Sequence, residues 1–286
     1  MANLKEIRNR IASIGSTMQI TSAMKMVSAA KLKKAQDAIT AMRPYSSKLT
    51  ELLQNLSATL DSDAGGAYSK QREVSKVLLV VVTSNRGLCG GFNSSVIKET
   101  TQNIAANYQA VDVDLLTIGK KGNDILSKSY PVIDARNDIF DNLTFDFVAE
   151  VAEKIMNLYV DGTYDKIEII YNRFKNAATQ IPQVEQFLPI KPVEGDTNAS
   201  ADYIFEPSKE KIVLELIPKS LKTQLYKAVR DSFAAEHGAR MTAMHKATDN
   251  ATELRDELKL TYNKARQAAI TNEILEIVGG AEALKN

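Results

Sequence analysis

Cysteine is almost missing from this chain: Cys89 is the only one in 286 residues. A single thiol cannot close an internal disulfide, so an oxidised framework of the secreted kind is excluded. Histidine is nearly as scarce. His237 and His245 stand eight residues apart, and with one cysteine they cannot assemble a zinc or haem ligand set. Long apolar runs are absent too, since Val77 to Val82 is the longest and falls far short of the roughly 20 residues that cross a bilayer. The opening MANLKEIRNR carries neither an apolar signal segment nor a serine-rich presequence, which predicts a cytosolic or equivalent compartment.

What remains is an ordinary soluble composition, 44 % hydrophobic and 25 % charged, with a formal net charge of +1. That near-neutral total hides an asymmetry. Residues 1–50 carry nine Lys or Arg against Glu6 and Asp37, a net of +7, so the rest of the chain carries −6. The basic arm calls for an acidic partner: phosphate, an anionic surface or an acidic protein loop.

Periodicity divides the chain into three predicted parts: 1–60, 74–192 and 208–286. Asn3 and Glu6 form a capping-box arrangement. After it, steps of three and four pick out Leu4, Ile7, Ile11, Ile14, Met18, Thr21, Lys25, Ser28, Leu32, Ala35, Ile39 and Met42, a coiled-coil seam. Pro44 is expected to kink or end this helix, and leucines 49, 52, 53, 56 and 60 continue toward a polar linker at 61–70. From 74 the pattern changes. A strand at 77–82, a helix at 94–108, a strand at 111–119, a helix-like stretch at 122–130, a polar loop, an amphipathic helix at Phe145 to Tyr159, and two consecutive strands follow. This order predicts a mostly parallel α/β domain, Rossmann-like, with an antiparallel edge. The stretch 193–203 reads as a surface loop.

After Pro218 no proline occurs before Gly279-Gly280, which predicts a helix of about 90 Å. A compact chain of this size has a diameter of only about 50 Å. The predicted seam there is Met244, Ala247, Ala251, Leu254, Leu258, Thr261, Ala265 and Ala268. Two long heptad segments at opposite ends pair most simply as a long antiparallel coiled coil. Apolar residues outside the seam, such as Ile274, Ile277 and Val278, then require cover from other subunits. The predicted class is α/β with a helical rod, suited to an axle, lever or scaffold.

The glycine turn Gly87-Leu-Cys-Gly-Gly91 invites two chemical readings. As a strand-to-helix elbow it presents a cysteine nucleophile, which needs a base and an orienting group. Both histidines lie on the C-terminal helix, so a buried or turn cysteine is the preferred reading. As a phosphate loop the turn lacks the G-x-x-x-x-G-K-[ST] lysine, and G-x-G-x-x-G is also missing; a helix N-terminus alone still leaves an anion contact open. The cluster Lys31-Leu-Lys-Lys34 leaves a nucleic-acid arm as a further alternative, with no recognition module beside it.

Four separated stretches resemble one family: IRNRIASIGSTMQITSAMKMVSAAKLKKAQ, SNRGLCGGFN, GARMTAMHKATDNA and ITNEILEIVGGAEA. They are similar, in this order, to the gamma subunit of the F-type ATP synthase. The resemblance implies a central rotor shaft that couples proton flow to ATP synthesis or hydrolysis and catalyses nothing itself. It implies as partners three alpha and three beta subunits, epsilon and the c-subunit ring, and no cofactor, metal or nucleic acid. It implies a peripheral place on the cytoplasmic face of a bacterial plasma membrane. The family's beta-subunit contacts fall on Met24, Lys25, Arg240, Gln267 and Thr271. With one cysteine, the thiol control known among chloroplast members is not expected.

Overall fold

The structure is a computed structural model that describes residues 4–57, 66–190 and 209–283. Asn3, Leu60, the 193–203 loop and residues 61–65 of the linker lie outside them. The chain forms two compact units, one from Met1–Ser28 with Met241–Asn286 and one from Ala29–Arg240. Two long helices, α1 (Leu4–Ser57) and α5 (Lys209–Ala283), contribute to both.

The larger unit is built on five strands in the order β3-β2-β1-β4-β5: β1 (Lys76–Val82), β2 (Asp112–Ile118), β3 (Val132–Arg136), β4 (Lys166–Phe174) and β5 (Gln180–Leu188). The first four run parallel and β5 pairs antiparallel with β4. Strand β1 has no polar face because both of its faces are covered, and Val77 to Val82 are all fully buried. Its even-numbered residues Leu78, Val80 and Val82 meet α4 (Phe145–Val160) through Val148, Val151 and Ile155, and α5 through Ile217, Leu221 and Leu225. The odd-numbered Val77, Leu79 and Val81 meet α2 (Phe92–Asn107) through Val96 and Ile104, and α3 (Lys120–Leu126) through Leu126. Each such side chain stabilises the fold by about 1.5–3 kcal/mol relative to exposure.

Strand β3 falls where the sequence reads as a polar loop. It is a short edge strand of alternating half-buried and exposed residues, so it carries half the apolar signal of a central strand. Two glycines set the approach of the loop after β2 to the end of β1. Gly119 has φ 100°, and a Cβ there would lie 2.2 Å from the Thr83 carbonyl oxygen. A Cβ on Gly122 would lie 2.8 Å from Thr83 Oγ1, the oxygen that accepts the Gly122 amide at 2.8 Å.

Neither proline ends its helix. Pro44 lies inside α1 and Pro218 inside α5, and α5 also continues through Gly279 and Gly280 to Ala283. Helices this long hold many hydrogen bonds on either side of one missing donor, and packing decides where they end.

In the smaller unit the two helices run antiparallel. Arg8 Nη2 donates to Tyr262 Oη at 2.7 Å, Thr21 and Thr248 share a hydroxyl hydrogen bond at 2.8 Å, and Met18 Sδ accepts from Thr252 Oγ1 at 3.3 Å. Every seam position predicted on α1 is buried or half-buried. On α5 the seam instead follows Met244, Thr248, Ala251, Arg255, Leu258, Tyr262, Ala265 and Ala269, while Leu254, Thr261 and Ala268 are exposed. Alternate positions are shifted by one residue because this interface uses hydroxyls and a guanidinium stem where a search for apolar residues chooses a leucine or alanine.

Candidate partner-contact site

On α1, Met24 and Lys25 are half-buried at the seam margin. Around them Ile20, Met26 and Val27 stand 60, 65 and 57 % exposed, so an apolar patch with a lysine at its border faces outward. The seam reading leaves Ile20 and Val27 aside, while all three lie in the ITSAMKMV stretch on which the resemblance places partner contacts. Their signal was available as apolar residues at positions the heptad assigns to solvent.

On α5, Gln267 and Thr271 are exposed one turn apart, and the Thr271 hydroxyl donates back to the Gln267 carbonyl at 2.9 Å. Between and beyond them Ile270, Ile274, Leu275, Ile277 and Val278 are all exposed. Five large apolar side chains on one short stretch form a surface that calls for cover from another chain.

Arg240 is placed differently from the expectation of a partner-facing residue. It lies in the larger unit and is only 7 % exposed, too little for a broad contact. Its guanidinium is turned onto the chain itself: Nη1 meets Glu236 Oε1 at 2.5 Å, and Nη2 donates to the carbonyls of Arg86 and Gly87 at 3.0 and 3.2 Å. The helix repeat explains the first contact, since residues four apart share a face. The second comes from the glycine turn, whose carbonyls face α5.

That turn is held from several sides. Ser84 N and Oγ both donate to Asn93 Oδ1, at 2.9 and 3.1 Å, and Ser84 Oγ also lies within hydrogen-bond reach of the Arg86 carbonyl at 2.7 Å. Asn85 donates to the Asn137 carbonyl at 2.7 Å and accepts the Lys120 amide at 3.1 Å. Leu88 and Gly90 turn the chain at φ 61° and 59°.

Cys89 is buried under the turn against Phe92, Ala235 and Ala239. Burial pushes its thiol pKa up, against the smaller opposing effects of Ser84 and Arg240. A nucleophile needs the reverse. The Arg86 and Gly87 carbonyls of the turn face a guanidinium, where an anion site presents amides.

His237, also buried, meets the edge of the Phe233 ring at 4.5 Å. Burial, then the charges of Arg240 and Lys31, lower its pKa to about 3, so it stays neutral. Glu236 is raised by burial, with Arg240 opposing. Among the described residues no group of three His, Cys, Asp or Glu is placed to hold a metal ion, and no helix is long and apolar enough to cross a membrane.

The family described as ATP synthase matches residues 3–284. The chain is 74 % identical to the ATP synthase gamma chain of Flavobacterium psychrophilum over 286 residues, covering 100 % of both chains. It is 65 % identical to that of Christiangramia forsetii over 284 residues, covering 99 % of each. Its fold is shared with a chain of the Euglena gracilis mitochondrial ATP synthase rotor, at TM-score 0.69 and 22 % identity over 93 % of this chain and 98 % of that one. A chain in the central stalk and c-ring structure from Tetrahymena thermophila matches with TM-score 0.62 at 28 % identity, over 80 % of this chain and 99 % of that one. Identity at this level along the whole length, on a sheet and long helices of the same fold, makes this chain a member of the ATP synthase gamma chain family.

Proposed function

We propose that this gamma chain, a non-catalytic rotor shaft, acts on three beta subunits alternating with three alpha subunits. Contact is made through Met24 and Lys25 on α1 and through Gln267 and Thr271 on α5. The larger unit sits with epsilon on the c-subunit ring, at the cytoplasmic face of a bacterial plasma membrane. The observation that carries this reading is the apolar surface left outside the seam of the smaller unit, from Ile20 to Val27 and from Ile270 to Val278.

A shaft does its work by touching partner conformations unequally; equal contact with all of them shifts none. An asymmetric pair of helices with a lysine border supplies that inequality. The partner loop that meets Lys25 carries carboxylates, in keeping with the +7 charge of residues 1–50.

Reconstitution tests this. The purified chain is mixed with matching alpha and beta subunits, and complex mass and ATP hydrolysis are recorded. One copy per three alpha and three beta, with altered turnover, is expected. Gln267→Ala with Thr271→Ala should then lower turnover without unfolding the chain, because both side chains are exposed. Unchanged turnover in that variant removes these two residues from the contact, and failure to join competent partners removes the shaft arrangement.

A further inference from the structure

Glu236 and Arg240 lie at the end of the segment Ala29–Arg240 that forms the larger unit. Along this last stretch the packing face of α5 is smooth. Ala234, Ala235, Gly238 and Ala239 leave α5 with little relief, and a Cβ on Gly238 would meet Ala177 Cα at 3.1 Å. Small residues allow close packing and give little resistance to a helix turning about its own axis. A slip of one residue turns a helix by about 100° and advances it by about 1.5 Å.

Arg230, whose Nη2 donates to the Leu143 carbonyl at 2.9 Å, and Gln224, which donates to the Gln186 carbonyl at 3.1 Å, oppose such a slip further back along α5; at this end a buried pair does so. Glu236 is a carboxylate only 7 % exposed, hydrogen-bonded to Arg240. Arg240 in turn grips the Arg86 and Gly87 carbonyls. The gripped turn contains Leu88, which among the described residues is the one non-glycine residue with positive φ. An unpaired carboxylate at this depth is costly, so the pair holds its geometry strongly.

We propose that Glu236 is a positioning residue for rotary coupling: it aims the Arg240 guanidinium so that α5 is latched, in one rotational register, to the turn between β1 and α2. Arg240 serves this latch, and the proposal rests on the shaft reading above. Packing of alanines holds the distance between helix and turn. The fork of Arg240 fixes the angle, because its two arms point in different directions.

The chain contains its own reporter. Cys89 is the single thiol and is buried between the turn and Ala235 and Ala239, so opening the latch exposes it to a maleimide. In the isolated full-length chain, Glu236→Ala is expected to raise the Cys89 labelling rate roughly tenfold, the equivalent of one lost charged hydrogen bond. Glu236→Gln keeps an acceptor in place and should restore most of the protection. In the reconstituted complex in proteoliposomes, Glu236→Ala should reduce protons pumped per ATP hydrolysed, with Glu236→Gln close to the parent. Ile155→Val, a mild core change on α4, should leave that ratio intact.

Unchanged labelling in Glu236→Ala overturns the latch, whatever the shaft does. Faster labelling with an unchanged pumping ratio, or an equal loss in Ile155→Val, overturns the positioning role. If Glu236→Ala does not assemble, Arg240→Lys, which keeps the charge and loses the fork, takes its place with the same expected outcomes. Failure of the parent chain to join alpha and beta subunits counts against the shaft reading alone.

Discussion

Acid should weaken the α/β unit at a buried imidazole, His237. Its ring is buried beside Phe233 and its pKa is lowered from 6.5 to about 3, first by burial and then by Arg240 and Lys31. The unfolded chain takes up a proton on this imidazole as pH falls through 6.5, while the folded chain does not. Stability is therefore fully present above 6.5 and declines as pH falls toward 3. Each pH unit in that window costs about 1.4 kcal/mol for one proton, so the loss at pH 5 is about 2 kcal/mol. Against a typical total of about 5–15 kcal/mol that loss is large.

Replacing the imidazole with a hydrocarbon of similar size, His237→Leu, removes the proton and keeps the burial. Urea unfolding of parent and variant at pH 7, 6 and 5 measures the effect. The stability difference should move in favour of the variant by about 2 kcal/mol between pH 7 and pH 5. Glu236 works with the opposite sign, since a carboxyl raised in the folded state gains stability as pH falls. It is present in both proteins, so its contribution cancels in the difference to the extent that the two groups titrate independently. Parallel curves for the two proteins would refute the reasoning.

Three further outcomes follow from the geometry. Gly119→Ala places a methyl 2.2 Å from a backbone oxygen at φ 100°, so it should destabilise the unit by at least about 3 kcal/mol or prevent folding, read by circular dichroism and urea unfolding. In the seam, Thr21→Val and Thr248→Val together should cost no more than either alone, because each removes the same 2.8 Å bond; a coupling energy of about 0.5–1 kcal/mol in a thermal double-mutant cycle checks this. Alanine at Ile274 and Ile277, both exposed in the free chain, should leave its melting unchanged and weaken its capture of alpha and beta subunits.

Much of the architecture was legible because its signals are local. The α1 seam could be read position by position, since a two-sided helix separates buried from exposed residues every third and fourth place. The strand at 77–82 announced itself by being apolar on both faces. The α5 register was harder to read. Arg255 and Tyr262 reach the seam with long side chains whose polar ends find Met18 Sδ at 3.5 Å and Arg8 at 2.7 Å, and no hydropathy count rewards them. Strand β3 was hidden by its edge position, and Arg240 by the distance in sequence to the carbonyls that hold it. An arginine at i+4 from a glutamate on a helix usually describes a solvated pair; only the fold brings Arg86 and Gly87 to close over it.

The smaller unit is assembled from the two ends of the chain, which gives synthesis an order. Residues 29–240 are contiguous and emerge together, whereas Arg8 must wait for Tyr262. At about 10 residues per second that wait is roughly 25 s. Throughout it the first helix holds Ile7, Ile11, Ile14 and Met18 without their mates on α5, inside a crowded cell. Until Tyr262 emerges, the nascent chain is a growing α/β domain with an unpaired amphipathic helix at its start. Chaperones that recognise such helices, or partner subunits already waiting, have those seconds in which to meet it.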